Sequence, residues 1–487
     1  MNWSTYQTDI FDWATGSTKT NLMVQAGAGC GKTSTIVELY KRIVAQDPKA
    51  TVQFMAFNKK IALELQARGV PASTMNAFGF KAVLKAYPKI KLDTNKLRYL
   101  CKAHNVEYRA SGFVCRVVDM LKAYLIPQQS VDALISEIKR IIDEFESVDF
   151  EPDRKLLEQI ASIFNVSLSD LHTIDFADQI SYPHYHNLNV PRFDYVIIDE
   201  AQDLSPNKLQ LVARAVGKHF ICVGDPRQAI YLFCGADSES MDKIAERFSP
   251  VVKNLPVTYR CGKRIVQETH NLEVAPPDFQ AGPDNHEGEV RSVVYENFLK
   301  EVKPKDFVLC RVSAPLVKNC FALIKNGVRA QIIGRDVGAK LSTLADKIFA
   351  YKMQTQAISE MDTFCEKYRE YRRIEVGKLL AAEKDDQAER LEDQLDCLYV
   401  FTENVQTVGE MQMKIGQMFD DTVNPHAVIF STIHKAKGLE ADVVWALPSK
   451  MRPPKKEKQK QEEKNLLYVL ITRAKNQFNW VSSRGDR

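Results

Sequence analysis

A loop of small residues, Ala26-Gly27-Ala28-Gly29-Cys30-Gly31, runs directly into Lys32-Thr33-Ser34. An apolar, β-branched run precedes it and a helical pattern over 34–44 follows. Glycines let backbone N–H groups close around an anion, and the helix N-terminus adds a favourable potential. In that setting a lysine reaches the β- and γ-phosphates of a nucleoside triphosphate and a hydroxyl holds Mg²⁺, tasks that fall to Lys32 and Thr33. The usual pattern opens with a glycine where this chain has Ala26. A second element, Val196-Ile197-Ile198-Asp199-Glu200-Ala201-Gln202-Asp203, ends an apolar strand on carboxylates. Ligands bind at such strand ends in parallel α/β sheets. Asp199 there would bind Mg²⁺, and Glu200 would polarise an attacking water as general base. An acidic strand end is common by chance; following a phosphate loop at domain-scale spacing, it points to ATP and Mg²⁺.

These loops need strands to carry them. Short β-branched runs at 24–26, 52–57, 195–199 and 220–224 read as buried parallel strands. A second set falls at 307–310, 330–333, 427–432 and 443–447. Strands separated by helices imply α/β sheets, and two sets imply two sheets. Residues 90–170 and 341–421 break the alternation and read as helical. In the first stretch Val131, Leu134, Ile135, Ile138, Ile141, Ile142 and Phe145 share one helical face. Ordinary covering helices would read the same way, but the length of both stretches favours insertions. The run Lys450 to Lys464, KMRPPKKEKQKQEEK, reads as an exposed flexible loop that either grips phosphates or is merely solvated.

Further segments punctuate the chain: Ser4-Thr5-Tyr6-Gln7; Phe57-Asn58-Lys59-Lys60 with Glu64, Leu65 and Arg68; Thr74-Met75-Asn76-Ala77-Phe78-Gly79; and Asp175-Phe176-Ala177-Asp178. After them come Gly224-Asp225-Pro226-Arg227-Gln228-Ala229-Ile230-Tyr231-Leu232-Phe233-Cys234-Gly235, Thr258-Tyr259-Arg260-Cys261 and Ser431-Thr432-Ile433-His434-Lys435-Ala436-Lys437-Gly438-Leu439-Glu440. The last is Glu462 and Glu463 followed by Asn465-Leu466-Leu467-Tyr468-Val469-Leu470-Ile471-Thr472-Arg473-Ala474-Lys475. The segment from Gly224 joins a glutamine to aromatics, whose faces stack on any base. The permanently charged fork of an arginine suits a transferring phosphoryl group.

In this order, from Gln7 to Lys475, the segments resemble superfamily 1 DNA helicases of the UvrD/Rep type (superfamily 1A). The resemblance implies an α/β fold of two RecA-like P-loop NTPase parallel-sheet domains, each with a helical insertion. It implies an ATP site of Gln7 on the adenine edge, Ala26, Gly27, Ala28, Gly29, Cys30, Gly31, Lys32, Thr33 and Ser34 on the phosphates, Tyr259 stacked on adenine, and Glu440 on the ribose. Its catalytic set is Lys32, Glu200, Gln228 sensing the γ-phosphate, Arg260 on the γ-phosphate and Arg473 as arginine finger, with Thr33 and Asp199 on the metal. DNA would meet Phe57, Asn58, Lys59, Thr74, Phe78, Tyr231, Phe233, Thr432 and His434. The chain departs from the family at Asn76, where histidine is usual, and at Cys234, where arginine is common.

The implied organisation is a first motor domain, 1–90 and 170–262, with a helical insertion at 91–169, and a second, 263–340 and 422–487, with an insertion at 341–421. ATP would lie in the cleft between the two, whose closing and opening would drive stepwise movement on single-stranded DNA, 3′ to 5′, and unwinding of duplex. The alternatives are a DNA-bound remodeller that displaces proteins without efficient unwinding, and an RNA-directed helicase of the same superfamily. A helicase–nuclease subunit would need a further carboxylate-rich domain that the residues after 475 do not supply. Single-stranded DNA and single-strand/duplex junctions are the expected partners, and a monomer or weak oligomer the expected state.

Composition fits without deciding. The chain has 487 residues, 45% hydrophobic and 26% charged, with a formal net charge of +4. That is a globular composition, which excludes a disordered, collagen-like or disulfide-scaffold protein. No apolar run reaches the ~18 residues needed to cross a membrane, and the N-terminal residues lack a signal-peptide pattern. The ten cysteines show no C-x-x-C pair, which argues against zinc or a redox dithiol and for a reducing, cytoplasmic setting.

Overall fold

The computed structural model describes residues 3–16, 20–145, 152–230, 239–381, 385–449 and 457–482. Tyr231, Phe233 and Cys234, the first half of the Lys450–Lys464 run and the C-terminal residues 483–487 lie outside them. The chain divides into two compact units, Met1–Val257 and Thr258–Arg487.

Unit 1 is built on a six-stranded parallel sheet. Its strands are β1 (Leu22–Ala26), β2 (Val52–Ala56), β3 (Ala72–Thr74), β4 (Phe193–Ile198), β5 (Val216–Gly224) and β6 (Val251–Leu255), in the order β3-β2-β4-β5-β1-β6. Parallel pairing puts every C-terminal strand end on one edge, so the loops after β1, β2, β3, β4 and β5 converge there. The helices α1 (Thr5–Thr15), α2 (Lys32–Gln46), α3 (Lys59–Ala67) and α4 (Met75–Ala86) alternate with the first strands.

Next come α5 (Lys96–Ala103), α6 (Tyr108–Ala123), α7 (Val131–Phe145), α8 (Arg154–Ser169) and α9 (Asp178–Tyr185). The stripe foreseen on α7 is buried at Leu134, Ile138, Ile141 and Ile142. These side chains join Val117, Leu121, Ile160 and Phe164 in a core separate from that of the sheet, which contains Val196, Ile198, Phe220 and Cys222. The remaining helices of unit 1 are α10 (Pro206–Ala215) and α11 (Ser240–Phe248).

Four buried charges tie the helical stretch to α9. Lys122 on α6 reaches Asp175 and Asp178, each at 2.7 Å, and Lys96 on α5 reaches the other oxygen of Asp178 at 2.7 Å. Lys96 also donates to the carbonyl of Ser167 and to the Tyr182 hydroxyl. All four charged side chains are buried.

Unit 2 carries a seven-stranded parallel sheet: β7 (Glu289–Val293), β8 (Phe307–Cys310), β9 (Ala330–Ile333), β10 (Phe419–Asp420), β11 (Val428–Thr432), β12 (Ala441–Ala446) and β13 (Ala474–Val481). The order is β7-β13-β12-β8-β11-β9-β10. Around it lie α12 (Lys263–Asn271), α13 (Tyr295–Glu301), α14 (Ala314–Lys325), α15 (Arg335–Phe349), α16 (Glu360–Ala381), α17 (Asp385–Val400), α18 (Val408–Met418), the single turn α19 (Ile433–Ala436) and α20 (Glu457–Ile471). The helices α15 to α18 share one core with the strands: Leu341, Phe364, Leu395 and Met411 belong to the same cluster as Val308, Phe430 and Trp445.

The expected loop at 450–464 is corrected in its second half. From Glu457 the chain is helical, as the first turns of α20. Lys, Glu and Gln are good helix formers and no proline follows Pro454, so the charged run extends the helix that carries Leu466, Val469 and Leu470 into the core. Among the described residues no helix is long and apolar enough to cross a membrane.

Candidate nucleotide and nucleic-acid site

The phosphate loop of unit 1 is held at both ends. The Gly27 N–H donates to the carbonyl of Leu255 at 3.1 Å, fastening the loop to β6. Gly29 and Gly31 have φ of 72° and 77°, the left-handed region that favours glycine. Ala26 instead belongs to β1, paired with Leu255, an extended position open to any residue, which explains why alanine is tolerated where glycine is usual. Ala28 and Cys30 are buried, whereas Thr33 and Ser34, in the first turn of α2, are partly exposed.

Lys32 opens α2 and turns its Nζ away from solvent, 4.0 Å from Glu200 Oε1. That Nζ has no hydrogen-bond partner among the described residues. Burial works against its charge, but Glu200, Asp225 and Asp199 outweigh burial and raise its pKa above the ordinary lysine value. A buried ammonium with unused donors, at the mouth of a glycine loop, is suited to an anion.

Asp199 follows β4 and is 3% exposed. Its Oδ1 accepts the N–H of Glu200 at 2.8 Å. Burial first and the Glu200 charge second push its carboxyl up to about 7. A carboxylate so penalised gains from a cation beside it, and Thr33 and Asp199 have the hard oxygen donors that Mg²⁺ takes. Glu200 itself sits at φ 54°.

Two residues without an assigned role in the sequence reading join the strand ends. The Gln202 amide donates to Glu200 Oε2, and its oxygen accepts the Asp225 N–H at 3.0 Å. Asp225 Oδ2 in turn accepts from Gln228 Nε2 at 2.7 Å. Glu200, Gln202, Asp225 and Gln228 thus form one hydrogen-bonded chain across the ends of β4 and β5. Gly224 makes room for it, since a Cβ there would stand 2.8 Å from Gln202 Oε1.

Gln7 is buried beside Gly31, but its amide already has work. Its oxygen accepts from the Ser4 N–H at 3.0 Å in a capping box, and its nitrogen donates to Thr35 Oγ1 at 3.0 Å. One amide hydrogen is left over for a base edge.

The nominated DNA contacts of unit 1 fall on the same sheet edge in different states. Phe57 is exposed, with Lys208 Nζ 4.8 Å from its ring centre. Asn58 caps α3 by accepting from Ile61 N, Lys59 is exposed beside it, and Thr74 caps α4 by accepting from Ala77 N. Phe78 is 4% exposed and packs on Phe193 in the core, so its ring offers no face to a base. Asn76 donates to the carbonyl of Phe176 and to Gln179, linking that segment to the exposed Phe176 ring.

Unit 2 gathers its nominated nucleotide residues before β12, β13 and α12. Glu440 bridges two cations: Arg260 Nε at 2.6 Å and Lys475 Nζ at 2.8 Å. Arg260 also donates to the carbonyl of Thr472. Burial raises the Glu440 carboxyl, but Lys475 and Arg260 prevail and hold it below the usual range. Tyr259 is half exposed next to them. Arg473 is 1% exposed, its guanidinium donating to the carbonyls of Val469 at 2.9 Å and Leu439 at 3.0 Å.

The nominated DNA residues of unit 2 occupy the other edge of its sheet. Thr432 ends β11 and caps α19, and His434 lies within that turn. Burial, with Arg311, Arg390 and Lys437 adding in the same sense, pushes His434 down to about 3. Its imidazole is therefore neutral throughout the range in which proteins work. The unfolded chain takes up this proton near pH 6.5, while the folded chain refuses it until about 3, so stability falls as pH drops through that window. Calorimetry from pH 7 to 4 should show a shallower acid-side loss in His434→Asn than in the parent chain; parallel curves would contradict the assignment.

Comparison with known families adds two matches. A model described as the UvrD/REP helicase N-terminal domain fits residues 11–249, and one described as the UvrD-like helicase C-terminal domain fits residues 427–479. F-box DNA helicase protein 1 of Schizosaccharomyces pombe is 23% identical over 94% of this chain and 55% of its own length. F-box DNA helicase 1 of Gallus gallus is 23% identical over 93% of this chain and 46% of its own. The ATP-dependent DNA helicase UvrD2 of Mycobacterium tuberculosis is 23% identical over 95% of this chain and 76% of its own. The chain thus spans about half the length of the two F-box relatives.

Proposed function

Since the chain belongs to the UvrD-like helicase family, we propose that it is an ATP-driven DNA translocase and helicase that moves on single-stranded DNA, 3′ to 5′. The observation that carries this reading is the buried Lys32 Nζ, with unused donors at the mouth of the phosphate loop and Glu200 at 4.0 Å. Lys32 would bind the β- and γ-phosphates, and Glu200, oriented by Gln202, would take a proton from the attacking water. Gln228, joined to the same chain of hydrogen bonds through Asp225, would register the γ-phosphate. Arg260 and Arg473 would offset charge on the transferring group, with Tyr259 stacking on the base. Mg²⁺, held by Thr33 and Asp199, would supply further charge neutralisation on the phosphate oxygens.

On the nucleic-acid side, Phe57, Lys59 and Thr74 of unit 1 and Thr432 and His434 of unit 2 would hold the strand. Nucleotide-dependent movement between these two grips would advance the protein along it. The names of the relatives favour DNA over RNA as the track.

The test is strand separation on duplexes with either a 3′ or a 5′ single-stranded tail. Unwinding with ATP on the 3′-tailed substrate alone is expected. Unwinding from the 5′ tail would reverse the polarity, and translocation without strand separation on either would leave a remodeller.

A further inference from the structure

The ten cysteines show no close pairing along the sequence, but the fold creates one. Cys101 lies on α5 and Cys115 on α6, and their sulfurs are 3.9 Å apart, within hydrogen-bond contact. Cys101 is fully buried and also contacts the carbonyl of Ser111 at 3.9 Å, whereas Cys115 is partly exposed. We propose that Cys101 and Cys115 form a site of reversible oxidation, a dithiol that hydrogen peroxide converts to an intramolecular disulfide.

An S–S bond is about 2.05 Å long, so the sulfurs, now 3.9 Å apart, need to approach by ~1.9 Å. The two thiols also divide the labour. The hydrogen bond shared with Cys101 holds the Cys115 thiol below its ordinary pKa, Arg98 acts in the same sense, and burial and Asp119 oppose them. The same hydrogen bond, with burial, raises Cys101. The more acidic and more exposed sulfur is thus the attacking one, and the buried sulfur resolves.

In the first step the Cys115 thiolate attacks one peroxide oxygen. The O–O bond breaks, a sulfenic acid forms on Cys115, and hydroxide leaves. In the second, the Cys101 sulfur attacks the Cys115 sulfur. The S–S bond forms, the S–O bond breaks, and the oxygen leaves as water with the Cys101 proton. Together the two thiols lose two electrons, and, once the hydroxide takes up the proton that Cys115 released on ionising, one peroxide is reduced to two waters.

The bond would join the two helices whose lysines, Lys96 and Lys122, hold the Asp175–Asp178 segment. That segment carries the exposed Phe176 and accepts from Asn76. Oxidation would therefore stiffen the support beneath one part of the nominated DNA-facing edge of unit 1.

The full-length chain is treated with hydrogen peroxide, blocked with iodoacetamide and digested. The expected product is a cross-linked peptide containing Cys101 and Cys115, reversed by dithiothreitol. It should persist in Cys365→Ser, which removes a partly exposed thiol of unit 2, and vanish in both Cys101→Ser and Cys115→Ser. In Cys101→Ser, which leaves the attacking sulfur, Cys115 should instead proceed to sulfinic acid. Alkylation of both cysteines in the treated parent chain, or sulfinic acid on Cys115 with Cys101 still alkylatable, would overturn the proposal.

Discussion

Replacing Lys32 by alanine is expected to lower single-strand-stimulated ATP hydrolysis by about a thousandfold, the scale on which a lost charge-stabilising donor acts in a water-excluded site. The reason is geometric. Lys32 Nζ is enclosed with three carboxylates around it, and its unused donors can be satisfied by phosphate oxygens. Alanine leaves Glu200, Asp199 and Asp225 to repel the nucleotide, so binding should weaken along with turnover. Glu200→Gln is a useful contrast. The amide keeps the shape and removes the base, so hydrolysis should fall by roughly 10²–10⁴ while ATP binding persists. Steady-state hydrolysis with and without single-stranded DNA, beside equilibrium binding of a fluorescent ATP analogue, separates the two variants. Undiminished turnover in Lys32→Ala would remove the proposed function at its base.

The second large effect is one of stability. Lys122→Ala should destabilise unit 1 by about 3–5 kcal/mol, because it strands Asp175 and Asp178 in the interior without their main counter-charge. Calorimetric unfolding of the full chain should show one transition moved down while the transition of unit 2 stays in place. Removing one cation and one anion of the network together, with Lys122→Met and Asp178→Leu combined, should cost less than the sum of the single changes, since a buried ion pair contributes little net stability while its broken half is expensive. A simple sum would mean that the charges do not form one network.

Much of this architecture is legible in the residues. The strand runs, the phosphate loop and the stripe on α7 follow from local rules of period and glycine placement, and the motif order supplies the family. What escaped was tertiary. Phe78 reads as a nucleic-acid contact from its motif, but the packing of α4 on Phe193 and the core buries it. The charged run after Pro454 reads as loop by composition, yet α20 needs its first turns to bring Leu466 and Val469 to the core. Gln202 and Asp225 could be named from sequence but not joined, because the bond between them links strands that are neighbours only in space. The Cys101–Cys115 contact is hidden in the same way, across a helix-to-helix packing that no spacing rule encodes.

The bonds of Arg473 have a mechanical meaning. Residues 433–440 carry the chain of unit 2 from the C-terminal end of β11 to the N-terminal end of β12, which is from one rim of a parallel sheet to the other. At the far rim Leu439 accepts from the Arg473 guanidinium, and the Ala441 N–H donates to the Arg473 carbonyl at 3.0 Å. The return path is α20, which passes from Glu463, paired with Arg311 just after β8, back to Arg473. Two paths, one through the turn α19 and the residues after it and one along α20, therefore join the rim holding Thr432 to the rim holding Arg473. Within unit 2, the chain after Thr432 and the Arg473 guanidinium are thus joined by a short covalent and hydrogen-bonded path from one rim of the sheet to the other.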